Sequence, residues 1–393
     1  MVSVSGTATA GDILELVRSG RARTRRELQE LTGISRSTLS LRMSQLIAAG
    51  FIRESGQAAA STGRPARILS FDEHGQLVLS VDIGATHANL ALLDAGSRVI
   101  MRAKAEIDIA AAPDVTLRSL ARRLAELLER AGRPFSAVAG VGVGIPAPVR
   151  FDTQRPNQPP LMPRWHDFPI AQTLGRILRV PTFVDNDANL MGLGEARERY
   201  PDAPSLLFVK VGTGIGAGVI LHGQPERGIS GGAGDIGHIR IVDGAEAHRC
   251  TCGATGCLAT EASGGAIARI LREEGREVAS ATEAARLVAA GDARAVELTR
   301  RAGRLLGEVL ATSVALLNPQ VVVIGGVMGG ATPVLMESAR DRIYERTVPL
   351  ATRELFIVSS ALGPQAAIQG ARHMVIDQTF SARAVDQRLQ LAS

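Results

Sequence analysis

The chain's three cysteines, Cys250, Cys252 and Cys257, all fall within eight consecutive residues. Twelve positions ahead of the first stands His238, closing the run Gly234-Asp235-Ile236-Gly237-His238. Three thiolates and one imidazole make the closed tetrahedral shell that a structural Zn²⁺ requires. Gly253 and Gly256 supply backbone that can curl tightly round an ion. A disulfide is the other chemistry open to these thiols, but one bridge leaves an odd cysteine. The spacing predicts a metal centre built from His238, Cys250, Cys252 and Cys257.

A second group of residues is acidic. Phe183-Val184-Asp185-Asn186-Asp187-Ala188-Asn189 reads as a strand running into a helix. An acid at the C-terminal end of a strand faces the cleft of an open α/β sheet. Asp187 is therefore the candidate general base, placed to take a proton from a hydroxyl, and Asp185 is assigned a structural part. Capping of the helix by Asp185-Asn186-Asp187-Ala188 is the competing role. Upstream, Leu77 to Asp82 is a strand ending in an acid, followed by Gly84-Ala85-Thr86 and a second strand from Ala88 to Leu93. Such a hairpin can bring backbone N–H groups and a hydroxyl close to an anion. Asp82, Gly84 and Thr86 are its candidate nucleotide contacts. Residues 208–218 repeat the design, with Gly212, Thr213, Gly214 and Gly216 at the turn. The pair suggests two duplicated lobes clasping a nucleotide. Val321 to Gly326 is a buried strand whose closing Gly325-Gly326 would suit the space under an adenine ring.

The elements that must hold these groups are spread over 393 residues, too many for one ordinary core, so two or three domains are expected. There is no apolar run long enough to span a membrane, and the first residues lack a secretory pattern. A reducing, cytoplasmic setting is expected. Only two lysines occur, Lys104 and Lys210; this reads as a bias of coding composition rather than as chemistry. Residues 1–70 carry ten arginines against five acids, an excess that equals the whole chain's formal net charge of +5. A front segment holding all the excess points to a polyanionic partner.

That segment reads as three helices and a basic hairpin. Ile13, Leu14 and Val17 form one apolar stripe. Thr24 with Glu27 makes a capping box, Gly33 breaks the chain, and Ser35 caps a third helix with Leu39, Met43, Leu46 and Ile47 on one face. Arg36, Ser37, Ser40 and Arg42, with Leu41 beside them, are offered to a groove. Phe51-Ile52-Arg53 and Arg67-Ile68-Leu69 are short strands, and Ser61-Thr62-Gly63-Arg64-Pro65 is the tip between them. This is the pattern of a winged helix-turn-helix, with the third helix in the major groove and Arg64 on the wing against phosphate or minor groove. A small helical bundle for protein contacts is the alternative.

Taken together, these residues resemble the ROK family of repressors, open reading frames and sugar kinases, over essentially the whole chain. The winged head, Asp82-x-Gly84-Ala85-Thr86, Gly142 to Pro148, Asp185 to Asn189, Gly212 to Gly218, Gly234 to His238, the cysteine run, and Gly363-Pro364 with Gly370-Ala371 occur in family order. The resemblance implies an α/β fold: an N-terminal winged helix-turn-helix (1–72) followed by a two-lobed actin-like, hexokinase-like body. The first lobe is expected over 73–190, with a C-terminal helix at 364–393 returning to it, and the second over 191–363 with the zinc. It also implies that Asp187 is the catalytic base of the kinases and that Asn186, Asp187, Asp235 and His238 contact a sugar. Gly144-Ile145-Pro146 and the region of Trp165 are further sugar-loop candidates. Three positions depart from the family pattern. Ala259 stands where a sugar-binding glutamate is usual, two residues after the last cysteine, with Glu261 two places further on. The first turn reads Gly-Ala-Thr-His rather than Gly-Gly-Thr-Lys. Asp235 replaces a glutamate. Losing a charged hydrogen bond to a sugar hydroxyl costs about 1.5–3 kcal/mol. The expected function is a sugar-responsive DNA-binding regulator, a repressor of carbohydrate genes, acting as a homodimer or homotetramer on a double-stranded operator. An ATP-dependent sugar kinase using Mg²⁺, or a bifunctional protein, is the alternative; the fused head and Ala259 weigh against it.

Overall fold

A computed structural model describes residues 8–57, 67–330 and 333–391. Helix α1 (Ala10–Arg18) opens on a capping box between Thr9 and Asp12, and α2 (Arg25–Thr32) on the box between Thr24 and Glu27. Gly33 ends α2 in the left-handed conformation at φ 67°, where a Cβ would be strained. Ser35 then caps α3 (Arg36–Ala48), its hydroxyl accepting from Thr38 N at 3.1 Å. Leu39, Met43 and Leu46 are buried; Ile47 is exposed, because it stands a further 100° round the helix from Leu46. Strands β1 (Ile52–Gln57) and β2 (Arg67–Phe71) pair antiparallel. The wing tip, Ser61 to Pro65 with Arg64, lies outside the described residues.

The body contains one topology twice. In the first sheet, β3 (Leu77–Ile83), β4 (His87–Asp94) and β5 (Val99–Glu106) form an antiparallel meander. Helix α4 (Pro113–Arg130) leads to β6 (Val138–Ile145), parallel to β3. A small ribbon of β7 (Val149–Arg150) and β8 (Arg155–Pro156) precedes α5 (Ile170–Leu178) and β9 (Thr182–Asn186), parallel to β6. The strand order is β5-β4-β3-β6-β9. Helix α6 (Asp187–Arg199) then crosses to the second sheet. There β10 (Ser205–Val211), β11 (Ile215–Leu221) and β12 (Gln224–Glu226) repeat the meander. Helices α7 (Leu258–Ala262), α8 (Gly264–Glu273), α9 (Ala281–Ala289) and α10 (Ala293–Leu317) intervene before β13 (Val321–Gly325). Then follow α11 (Gly326–Gly329), α12 (Pro333–Arg346), α13 (Pro349–Thr352) and β14 (Phe356–Ser359). Both added strands run parallel to their neighbours, and the order β12-β11-β10-β13-β14 matches the first sheet strand for strand.

The C-terminal segment differs from the single helix expected over 364–393. It is two helices, α14 (Ala366–Thr379) and α15 (Ala382–Leu391). Phe380 leaves the helical conformation at φ −108°, and Ser381 restarts the chain by accepting from Val385 N at its carbonyl. The break is driven by burial: Phe380 is fully buried and stands edge-on to Phe51 and Phe71 of the head, at 5.6 and 4.9 Å. So α14 belongs to the body, while α15 packs on α1, where Gly11 N donates to Asp386 at 2.9 Å. A Cβ on Gly11 would meet Ala382 O at 2.1 Å, so only glycine lets these helices touch there.

Helices α6 and α14 lie against each other between the sheets. A Cβ on Gly194 would meet Ala366 O at 2.2 Å, and one on Gly370 would meet Leu190 O at 1.8 Å. Only glycine at these two positions lets the backbones meet so closely, and the helices are in direct contact there.

Candidate functional site

The segment 234–238 reaches the site through β11. Ala217 N donates to Gly234 O at 2.8 Å, and Gly237 lies so close to Ile215 O that a Cβ would meet it at 2.1 Å. This anchoring presents His238 to the cysteine loop. The candidate ligand atoms of His238, Cys250, Cys252 and Cys257 all lie within 4.8 Å of one another. A tetrahedral zinc with bonds of about 2.3 Å to sulfur and 2.0 Å to nitrogen separates its ligands by roughly 3.5–3.8 Å. The Cys252 and Cys257 sulfurs stand 3.7 Å apart, and Cys250 Sγ is 3.4 Å from His238 Nδ1. The donor set fits a tetrahedral ion. Burial, with Cys252 and Cys250 adjacent, pushes the Cys257 thiol up to about 12, so metal binding would have to displace its proton.

The second ring nitrogen of His238 faces the other way, 4.0 Å from Asp235 Oδ1. The two nitrogens of this imidazole thus face different groups, Nδ1 the cysteine cluster and Nε2 Asp235. Ala259 lies against Gly237, beside His238. Glu261 does not take up the missing glutamate's place. It is buried, and its carboxylate accepts from His248 N at 2.9 Å and meets His248 Nδ1 at 3.0 Å.

Of the acids, Asp185 is fully buried and closely bound. It accepts from Asn186 N, Asn189 Nδ2 and Arg227, the last at 2.7–2.8 Å. Arg227 comes from the second lobe and lies over the Phe151 ring at 3.7 Å, so this pair staples the two lobes. Asn186 is the helix cap: its Oδ1 accepts from Ala188 N and Asn189 N, and its Nδ2 donates to Ala147 O at 3.1 Å. Only one amide hydrogen remains for a sugar, so the capping role dominates at Asn186. Asp187 takes no part in the cap. It is buried at the first turn of α6, where the helix dipole favours an anion, and its Oδ2 is ion-paired to Lys210 of β10.

Lys210 was not among the site residues read from the sequence. Its ammonium reaches from the second sheet to acids of the first. Burial works against the charge, yet Asp187 and Asp82 together hold its pKa above the ordinary value. Asp82 is pushed up, mainly by burial and also by the nearby Asp187, and it accepts from Asn89 Nδ2 at 3.2 Å. A Cβ on Gly144 would stand 3.1 Å from Leu190 Cδ1, 3.6 Å from Asp82 Oδ1 and 3.7 Å from Asp187 Cα, so this glycine borders both acidic residues. An ammonium paired with Asp187 thus already stands in the field of both carboxylates that a divalent ion would need, and the residues do not fit Mg²⁺ at that point.

The glycine turns form as expected. Gly84 N donates to His87 O at 2.8 Å, leaving Thr86 exposed at the tip; Gly212 N donates to Gly214 O at 2.9 Å, leaving Thr213 exposed. Gly216 and Gly325 stand opposite Lys210 on its two neighbouring strands, and Gly326 turns away at φ 80°. Trp165 is a correction. It is fully buried in the first lobe's core, and its indole N–H donates to Ile109 O at 3.0 Å, so it contributes packing rather than a sugar surface.

In the head, Arg36, Ser37 and Ser40 share the exposed side of α3, with Leu41 64% exposed beside them. Arg42 does not join them fully: it is half-buried, with Nη1 enclosed and lacking a hydrogen-bond partner among the described residues. A further contact was not visible in the sequence. Asp377, near the end of α14, accepts from Arg18 of α1 at 3.2 Å and from Arg197 of α6 at 3.1 Å. The helix that begins at Asp187 in the cleft thus ends on the carboxylate that grips the head.

Twin sheets of identical order, hinged by α6 and α14 and fronted by a helix-turn-helix, define a two-lobed sugar-kinase-like body carrying a winged head. The chain belongs to the ROK family, whose sequence model matches residues 78–378. A winged helix-turn-helix DNA-binding model matches residues 7–53. The chain is 25% identical over 357 residues to the xylose repressor of Bacillus subtilis, covering 90% of this chain and 91% of that protein. It is 29% identical over 318 residues to the glucokinase of Halalkalibacterium halodurans, which is matched over 96% of its length but covers only 77% of this chain. Among solved structures, a ROK family transcriptional regulator described as a homologue of the E. coli MLC protein superposes with a TM-score of 0.79. It is 27% identical and covers 97% of this chain and 98% of its own.

Proposed function

We propose that this protein is a sugar-responsive, DNA-binding transcriptional repressor of carbohydrate genes. Residues 1–72 read the operator, and the two-lobed body senses a sugar or sugar derivative. The observation that carries this reading is the shared carboxylate of Asp377. One arginine on it belongs to the helix that starts at the sugar-facing acid, and the other belongs to the DNA-reading head. Asp187, Asp235 and His238 bind sugar hydroxyls, while Zn²⁺ on His238, Cys250, Cys252 and Cys257 fixes the imidazole for that contact. Sugar binding changes the angle between the lobes. Through the direct contact of α6 with α14, the change arrives at Asp377 and Arg18 as a displacement of the head. The sugar acts only in so far as it prefers one of the two head positions. Exposed Leu316, Val348, Leu350 and the edge-strand Phe356 support pairing with a second copy, which would set the spacing of two recognition helices.

The test is a gel shift with the zinc-loaded protein and DNA from upstream of its own gene, over a panel of hexoses, pentoses and amino sugars. One sugar is expected to move the DNA affinity by about tenfold or more, within the range of typical coupling energies. Failure to bind that DNA with metal in place, or a DNA affinity that no sugar alters, overturns the reading. Elemental analysis should give one zinc per chain, and chelation should abolish the sugar response.

A further inference from the structure

The chain has two lysines, and one of them stands in the cleft. Lys210 extends from β10 between Gly216 and Gly325, the residues paired with it on the flanking strands. Neither partner puts a side chain beside the lysine stem, whose Cε lies 3.9 Å from where a Cβ on Gly212 would stand. Its ammonium meets Asp187, which is buried, and lies in the field of Asp82. Asn89 donates to Asp82 from the next strand, Gly144 borders both acidic residues, and each acid lies in the other's field. Two carboxylates converging on one space make the kind of oxygen site that takes a hard divalent cation together with a substrate phosphate. In this chain a cation is already present there, covalently attached to the opposite lobe.

We propose that Lys210 is a built-in cation for the cleft, holding the charge position between Asp82 and Asp187 in place of a divalent ion. The cleft therefore accepts an uncharged sugar without a metal–nucleotide partner. An entering divalent ion would have to displace the ammonium from Asp187, leaving the lysine partly buried beside a doubly charged neighbour. That is a like-charge arrangement which the half-buried stem cannot easily relieve by swinging into water. The ammonium also commits Oδ2 of Asp187, which limits this acid to accepting from a sugar hydroxyl through its other oxygen. The inference rests on the reading of this cleft as the sugar site, but it concerns the cation alone.

The test uses full-length, zinc-loaded protein and Mn²⁺ as the probe, with uptake followed by the loss of the free-ion electron paramagnetic resonance signal. The wild type is expected to take up no Mn²⁺ at Asp82 and Asp187. Lys210→Met should bind one Mn²⁺ per chain at least tenfold more tightly than the wild type, and adding Asp82→Asn should abolish the gain. Lys210→Arg, which keeps the charge, should behave as the wild type. Saturable Mn²⁺ uptake by the wild type that Asp82→Asn removes overturns the proposal. So does a folded Lys210→Met that gains none. If Lys210→Met fails to fold, Lys210→Thr and the wild-type measurement decide in the same way. Sugar-dependent DNA binding is read in a separate assay, so a failure here is distinguishable from a failure of the repressor reading.

Discussion

Asp185 and Asp187 stand two residues apart, both buried and both paired with a cation from the second lobe. Asp185 sits at the end of a strand and accepts from a backbone N–H, an amide and a guanidinium, so its lone pairs are consumed by the protein itself. Asp187 sits one step past the cap, its known partner a single ammonium on a flexible stem. The rigid planar fork of Arg227, stacked on Phe151, suits a permanent staple, while a lysine is a point charge that can be shared. The sequence assigned Asp187 to the ligand and Asp185 to structure without showing their partners. Their donors separate the one that holds the lobes from the one free to meet a ligand.

The contrast can be broken by substitution. Asp185→Ala strands Arg227 without its carboxylate and should destabilise the fold by about 3–5 kcal/mol, the usual cost of removing one partner of a buried pair; urea unfolding measures it. Asp187→Asn leaves an amide oxygen for the Lys210 ammonium and should lower stability less, yet weaken sugar binding about tenfold to a hundredfold, as loss of a charged hydrogen bond requires; calorimetric titration with the effector sugar gives the ratio. Equal stability losses in the two variants would erase the distinction. Asp377→Asn sharpens the comparison at the far end of α6. Sugar affinity and DNA affinity should each stay near the wild type, while the sugar-induced shift in DNA affinity falls by about fivefold or more, a coupling change on the order of 1 kcal/mol. The smallest effect is local to the head: Ser35→Ala removes the cap of α3 and should cost about 1 kcal/mol, visible in melting of the head and absent from sugar titrations.

Local chemistry was legible in the sequence where it depends on residues a few positions apart. The Thr24–Glu27 box, the Ser35 cap, the glycine turns and the cysteine loop all form at their expected positions. The duplicated sheet also followed from two similar strand–turn–strand runs. What escaped was contact between distant segments. Asp377 meets Arg18 across 359 residues and Arg197 across 180, and nothing local marks any of the three. Lys210 carried one available signal, its rarity in an arginine-rich chain. The region of Trp165 entered only through the family resemblance, and burial of the indole with its N–H on Ile109 O makes that side chain packing. The break at Phe380 arises from the head's aromatic cluster, which a periodicity over 364–393 does not reveal.

The central claim is that the carbohydrate cleft and the reading head are two ends of one mechanical unit. It is tested most directly by fluorescence anisotropy of labelled operator DNA, titrated with wild-type and Asp187→Asn protein over a range of effector sugar concentrations from zero. The account predicts a clear sugar-dependent change in the wild-type Kd, which Asp187→Asn reaches only at sugar concentrations about tenfold to a hundredfold higher, with unaltered affinity for DNA alone. An equal response of both proteins at the same sugar concentrations would contradict it.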